Sequence, residues 1–274
     1  MIKLIMSDMD GTLLDDKGML PPGFDEVIAK LKARGVMFAP ASGRQYYSLL
    51  ESFPKYKNDF MFVAENGTMV RYKGKIISAS PMRKVLAYQV LDAVADDEGV
   101  LRVYCGLKDG YVLNTQDEQA FMDELHKYFT RTNTVTDFRA VDDEPIKISF
   151  FDPEGKAAAR IYPKVQPFAG PLQVVLASDY WVDVMAFGIN KGLAIQKVQR
   201  KLHITPMECA AFGDYMNDAE MMSSVYYSFA MANALPKIKE LARFQAKSNA
   251  EHGVIHAIED LIAQGLCGKE VTSR

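Results

Sequence analysis

Residues 3–7 form an apolar run that breaks off into DMDGT, with Asp8 and Asp10 two positions apart and Gly11 directly behind. No other feature restricts the fold as tightly. A short continuous apolar run bounded by a turn reads as a strand buried on both faces, which is the habit of parallel sheets. The same grammar recurs along the chain. Residues 21–34 place Phe24, Val27, Ile28 and Leu31 at helical spacing, and Gly35 closes that segment. Residues 36–41 are again strand-like and stop at Ser42-Gly43. A helix from Arg44, a strand at 60–64 and a hairpin turning about Gly74 follow. Strands alternating with helices predict an α/β fold: a parallel sheet covered on both faces.

The middle of the chain changes texture. Residues 85–95 and 118–129 read as helices. Residues 100–105, 111–114, 145–151, 172–176 and 181–187 read as short strands, an α+β mixture of domain size. From Lys191 the first texture returns, with a helix to about Leu202, a buried strand at 207–212 and a helix after Asp214. The simplest account is one α/β domain built from residues 1–82 and 188–274, with a second domain, residues 83–187, inserted between the two parts.

Asp8 and Asp10 stand just beyond a predicted buried strand, where open α/β sheets place their ligand crevice. A carboxylate attacks phosphorus well once a cation is bound to the phosphate, and aspartyl-phosphate is an established covalent intermediate. A second carboxylate beside it suits protonation of the leaving oxygen and deprotonation of the incoming water. The plainer reading is an Asp-Gly turn with solvated acids. Ser42 and the Gly43 amide suit a phosphoryl oxygen, although Ser42 also reads as an ordinary helix cap. Lys191 opens a helix, where an ammonium offsets charge gathering on carboxylate and phosphate oxygens. Alone it would pass for a surface lysine. On a helix following residues 207–212, Asp214, Asn217 and Asp218 fall at i, i+3 and i+4 and share a side. Oxygen ligands on a phosphate-handling site point to Mg²⁺. What decides is the combination: three motifs after three predicted strands, and a lysine at a helix start, all converge on one sheet edge.

Composition excludes other classes. A formal charge of −3 over 274 residues argues against nucleic acid as a partner, since phosphate backbones need clustered Lys and Arg. No apolar run reaches the roughly 20 residues that span a bilayer, and the early turn to polar residues argues against a signal peptide. Three cysteines without a CxxC pair fit reduced thiols, so a cytoplasmic location is expected. The four histidines show no metal-ligand spacing.

DMDGTLL (8–14), SGR (42–44), NKG (190–192) and GDYMND (213–218), with AENG (64–67) and AMANALPKIKELA (230–242), make the chain resemble haloacid dehalogenase superfamily phosphatases of the Cof-like branch over nearly its whole length. The resemblance implies a Rossmann-like core with an inserted cap. It implies Asp8 as nucleophile and Asp10 as general acid/base whose backbone carbonyl also binds Mg²⁺. Ser42, the Gly43 amide and Lys191 would hold the phosphoryl group. Asp214 would be the remaining metal ligand, with Asp218 supporting from behind and Asn217 touching phosphate or metal-bound water. Arg44, Asn66 and Trp181 are candidate substrate contacts, joined in the insertion by Tyr180 and Arg102; core packing is the plainer reading of Trp181. Tyr215, standing where a small residue is common, and the sequence Glu251-His252-Gly253 depart from the family pattern. The expected activity is hydrolysis of a small phosphorylated metabolite, such as a sugar phosphate or phosphorylated cofactor. Phosphomutase or other phosphotransferase chemistry and a metabolite-binding regulatory module are the rivals. The oligomeric state is not legible.

Overall fold

Strand β1 (Leu4–Asp8) is buried at all five positions, as a strand with neighbours on both sides and helices on both faces must be. The computed structural model describes residues 1–116 and 119–268. After β1 come α1 (Phe24–Ala33), β2 (Met37–Ala41), α2 (Tyr46–Ser52), β3 (Met61–Ala64) and a hairpin of β4 (Met69–Tyr72) and β5 (Lys75–Ala79). The inserted segment runs α3 (Lys84–Asp92), β6 (Leu101–Gly106), β7 (Gly110–Leu113), α4 (Gln119–Tyr128), β8 (Thr132–Val135), β9 (Pro145–Phe151), α5 (Ala157–Arg160), α6 (Tyr162–Val165), β10 (Leu172–Leu176) and β11 (Trp181–Ala186). The chain then closes with α7 (Lys191–Leu202), β12 (Cys209–Gly213), α8 (Ala219–Ser223), β13 (Tyr227–Ala230), α9 (Pro236–Leu241), β14 (Phe244–Gln245) and α10 (Gly253–Ala263). Glu118, which the sequence places at the start of α4, and the last six residues of the expected core domain, 269–274, lie outside the described residues.

Two compact units result. One comprises Met1–Gly43, Phe53–Ser78 and Asn190–Arg274; the other comprises Arg44–Ser52 and Ala79–Ile189. The first holds an eight-stranded sheet in the order β14-β13-β12-β1-β2-β3-β4-β5, parallel from β14 to β3 and antiparallel between β3 and β4. From β1 the chain steps outward through β2 and β3 in one direction and, after the insertion, through β12, β13 and β14 in the other. The strand order therefore reverses between β1 and β12, which is where open α/β sheets leave a crevice at the carboxyl ends of their strands. Register aligns those ends: Asp8 lies level with Ala41, and Ser7 with Phe212. Helix α1 buries Phe24, Val27, Ile28 and Leu31, the apolar stripe read from the sequence, and packs against α10, while α7 packs on α8.

The second unit has a six-stranded sheet in the order β10-β11-β9-β6-β7-β8. Its strands alternate strictly, as the two-residue period of a pleat requires. Ile148 and Phe150 of β9 and Val182 and Val184 of β11 enter the unit's hydrophobic core. Lys147, Ser149, Trp181 and Asp183 alternate with them in sequence and so take the opposite face. There Ser149 Oγ donates to Asp183 Oδ1 at 2.6 Å and the Lys147 ammonium stands 3.6 Å from Asp183 Oδ2. Arg44–Ser52, assigned by sequence to the first domain, packs with this unit because Gln45 is clamped there: its Nε2 donates to Arg131 O at 2.8 Å and its Oε1 accepts from Arg131 N at 3.0 Å. Among the described residues no helix is long and apolar enough to cross a membrane.

Candidate active site

Lys191 is completely buried, yet it carries an ammonium. It sits at the first position of α7, whose cap is Asn190: the Asn190 side chain accepts from the Leu193 amide at 2.8 Å. Its Nζ donates to Asp8 Oδ1 and to Asp218 Oδ1 at 2.7 Å. Burial by itself would depress the lysine pKa, but the Asp218 and Asp8 carboxylates outweigh it and hold that pKa above its ordinary value. The two carboxylates therefore favour the ammonium form.

Asp8 is the last residue of β1 and almost fully buried. Burial raises its pKa well above the usual carboxylate value, and Asp218 and Asp214 add repulsion that Lys191 only partly offsets. Asp214 follows β12 and is also raised, first by burial, against the Thr12 hydroxyl that donates to its Oδ1 at 2.6 Å. Carboxylate oxygens of Asp8, Asp214 and Asp218 lie within 4.8 Å of one another. Three clustered carboxyl groups face one ammonium, so once ionised they carry surplus negative charge. An all-oxygen donor set with that surplus fits a hard dication such as Mg²⁺.

Asp218 differs from its two neighbours because both its oxygens are engaged. Oδ1 accepts from Lys191, while Oδ2 accepts from the backbone N–H groups of Asp214 at 3.0 Å and Tyr215 at 3.3 Å. It ties the loop after β12 to the lysine. Two glycines make room for these close approaches. A Cβ on Gly213 would lie 2.6 Å from the Asp218 Cβ, and one on Gly11, whose φ is +75°, would lie 2.5 Å from Asp214 Oδ2. The sequence-based helix that placed Asp214, Asn217 and Asp218 on one side is corrected here. Asp214 precedes any helix, and a single tight turn, Met216–Asp218, separates it from α8. The three residues meet the site through a folded-back loop, with Asn217 and Tyr215 exposed.

The remaining expected residues distribute as follows. Asp10 projects from the turn after β1 and is exposed. Ser42 is buried one position beyond β2, with its N–H donating to Val63 O at 2.9 Å. A Cβ on Gly43 would lie 3.1 Å from Asn66 Oδ1, and Asn217 Nδ2 lies 3.4 Å from the same Asn66 oxygen. Arg44 and Trp181 belong to the other unit. There Trp181 is buried against Tyr128, Phe129 and Phe151, the packing that its plainer reading describes. Sequence reasoning gave no role to Thr12, Asn233 or Asn249. Asn233 Nδ2 donates to Gly11 O at 2.7 Å, and Asn249 Nδ2 donates to Leu14 O at 3.1 Å and Asp16 Oδ1 at 3.0 Å, so both pin the turn after Asp8. The only signal for Asn233 was its place inside AMANALPKIKELA; Asn249 had none.

Comparison with known proteins agrees with this geometry. Residues 5–258 match the family described as haloacid dehalogenase-like hydrolase. The chain is similar to the 5-amino-6-(5-phospho-D-ribitylamino)uracil phosphatase YbjI of Escherichia coli, at 32% identity over 95% of this chain and 96% of that protein. It is similar to an HMP-PP phosphatase of Cronobacter sakazakii, at 28% identity over 87% of each. A crystal structure of a Streptococcus mutans protein superimposes with a TM-score of 0.83 at 28% identity, covering 96% of this chain and 100% of that one.

Replacing Lys191 leaves two carboxylates buried without their counter-charge. Lys191→Met is expected to lower the unfolding free energy by about 3–5 kcal/mol, the usual cost of breaking a buried pair from one side. Urea unfolding of the metal-free protein checks this; a change under about 1 kcal/mol contradicts the pairing.

Proposed function

The chain belongs to the haloacid dehalogenase-like hydrolase family, and from that premise we propose that it is a Mg²⁺-dependent phosphatase of small phosphorylated metabolites in which Asp8 attacks phosphorus. The observation that carries the proposal is the buried Lys191 ammonium bridging Asp8 and Asp218, with Asp214 in the same carboxylate cluster.

Asp8 Oδ1 is held by Lys191, which fixes the rotation of the carboxylate and leaves Oδ2 for phosphorus. As the Asp8 oxygen–phosphorus bond forms, the bond from phosphorus to the ester oxygen breaks, and Asp10 gives its proton to the departing alkoxide. Asp10 then takes a proton from water as that water attacks the same phosphorus. The Asp8 oxygen–phosphorus bond breaks, inorganic phosphate leaves, and both carboxyl groups return to their starting states. The Ser42 hydroxyl, the Gly43 amide and the third N–H of the Lys191 ammonium supply hydrogen bonds to the equatorial oxygens. Asp8, Asp214 and the Asp10 carbonyl are the proposed holders of Mg²⁺, which when bound neutralises phosphate charge that would otherwise repel an attacking carboxylate. Asp218 holds Lys191 and the 214–215 backbone in place.

The inserted segment, residues 83–187 in the sequence-based division, is proposed as the cap that selects the leaving group. The named relatives are phosphatases of phosphorylated small molecules, and we take that substrate class for this chain. Phosphate release from a panel of phosphorylated metabolites, with Mg²⁺ and with chelator, tests the reading. The expected result is metal-dependent release that falls by at least about a thousandfold in Asp8→Asn with the fold intact. Undiminished release by that variant would sink the nucleophile assignment.

Proton linkage gives a second test. Asp8 and Asp214 are both held above the ordinary carboxylate value, so in the folded metal-free protein they keep protons that the unfolded chain has already released. Their contribution to stability is present below the ordinary value and is lost as pH rises through the raised ones. Mg²⁺ has to displace the same protons. The gain in Tm on adding Mg²⁺ should therefore grow as pH rises above the ordinary carboxylate range; a gain that does not change with pH would contradict the account.

A further inference from the structure

Glu65, Asn66 and Gly67 have φ values of +52°, +55° and +93°. Left-handed backbone is unfavourable for any residue with a Cβ, and elsewhere among the described residues non-glycine positive φ occurs only at Lys73, His203 and His252. Two such residues in succession, followed by a left-handed glycine, mark a strained turn that its surroundings must hold in place. The turn follows β3, and Asn66 lies beside Ser42, Gly43 and Asn217 of the proposed phosphate site. The Asn66 N–H donates to Ser42 O at 3.0 Å. The Asn66 amide group occupies the space beside Gly43 and lies 3.4 Å from Asn217 Nδ2. A Cβ on Gly67 would lie 2.5 Å from Asn190 O, directly before Lys191.

The bond to Ser42 O has a geometric consequence. The carbonyl of Ser42 and the N–H of Gly43 belong to one trans, planar peptide and point in opposite directions. Fixing Ser42 O against the Asn66 N–H therefore fixes the direction of the Gly43 N–H. Turning that peptide over would break the Asn66 bond and put a carbonyl where the phosphoryl oxygen needs a donor.

We infer that Asn66 is a positioning residue: by holding the left-handed turn it orients the 42–43 peptide so that the Gly43 N–H faces the phosphoryl group. This rests on the phosphatase reading, through the role given to the Gly43 amide. It differs from a substrate contact by Asn66, which would involve its side chain and the leaving group. Asn tolerates positive φ better than other residues with a Cβ, and Gly better still; a β-branched residue tolerates it least. Backbone preference at position 66, not amide chemistry, should then set activity.

The test compares the wild type with Asn66→Gly and Asn66→Val in Mg²⁺. It measures kcat/KM for p-nitrophenyl phosphate and for glycerol 2-phosphate, together with the affinity for inorganic phosphate by calorimetry and the Tm. The expected result is that Asn66→Val loses about tenfold or more in kcat/KM by the same factor for both esters, and weakens phosphate binding in parallel, while Asn66→Gly stays within about threefold of wild type. Where Asn66→Val does not fold, Asn66→Ala takes its place, with the same ordering expected. The inference is overturned if Asn66→Gly loses as much as the variants with a Cβ, if the loss differs between the two esters, or if phosphate affinity does not change. Hydrolysis of neither ester by the wild type defeats the phosphatase reading, and phosphate affinity then still ranks the variants. Absence of phosphate binding by the wild type defeats both.

Discussion

An ammonium buried away from water is tolerated only when its charge is answered at close range, and that requirement at Lys191 organises the core unit. The charge arrives at the first position of α7, after more than a hundred residues of inserted chain. It is answered by Asp8 at the end of β1 and Asp218 beyond β12. Strands β1 and β12 are parallel neighbours in register, so the two carboxylates reach the lysine from adjacent strand ends. Asp218 also accepts the Asp214 and Tyr215 amides, which places Asp214 beside Asp8. Gly213 and Gly11 leave the space these approaches need. The ends of the chain are therefore joined at the site by charge as well as by the sheet.

The apolar run before Asp8, the helical stripe of α1 and the return of strand and helix after Lys191 were legible because each is a local pattern with a fixed period. The convergence of Asp8 and Asp214 was legible because parallel strands must bring their carboxyl ends to one edge; Lys191 joins them from the start of α7. The path of the backbone between Asp214 and Asp218 was not. Helical spacing placed both on one face of a helix, but a turn that folds Asp218 back onto the 214–215 amides brings them to the same place. Spacing carries no sign of which hydrogen bonds a loop will choose. Thr12, Asn233 and Asn249 escaped for a related reason: each bonds across the fold to the turn after Asp8 or to its partner Asp214, and such partners have no local signature. The clamp of Gln45 on Arg131, which packs Arg44–Ser52 with the inserted unit, was likewise invisible one residue at a time.

The site combines an ammonium with buried carboxyl groups. The Asp218 and Asp8 carboxylates hold the Lys191 pKa above its ordinary value against burial, whereas burial raises Asp8 and Asp214 above theirs. The strained turn at Glu65–Gly67 belongs to the same economy of placement: it fixes the direction of a backbone N–H, a donor that side-chain substitution alone does not supply.

The central claim is that Asp8 itself becomes phosphorylated, and trapping that acyl phosphate tests it most directly. The protein is mixed with a hydrolysed phosphate ester and Mg²⁺, quenched during turnover, reduced with borohydride and mapped by peptide mass spectrometry. The account predicts reduction at Asp8, to homoserine, only when substrate is present, because an acyl phosphate is reducible and a free carboxylate is not. Reduction at a different carboxylate, or an unmodified Asp8 in samples quenched with a demonstrated intermediate burst, would contradict it.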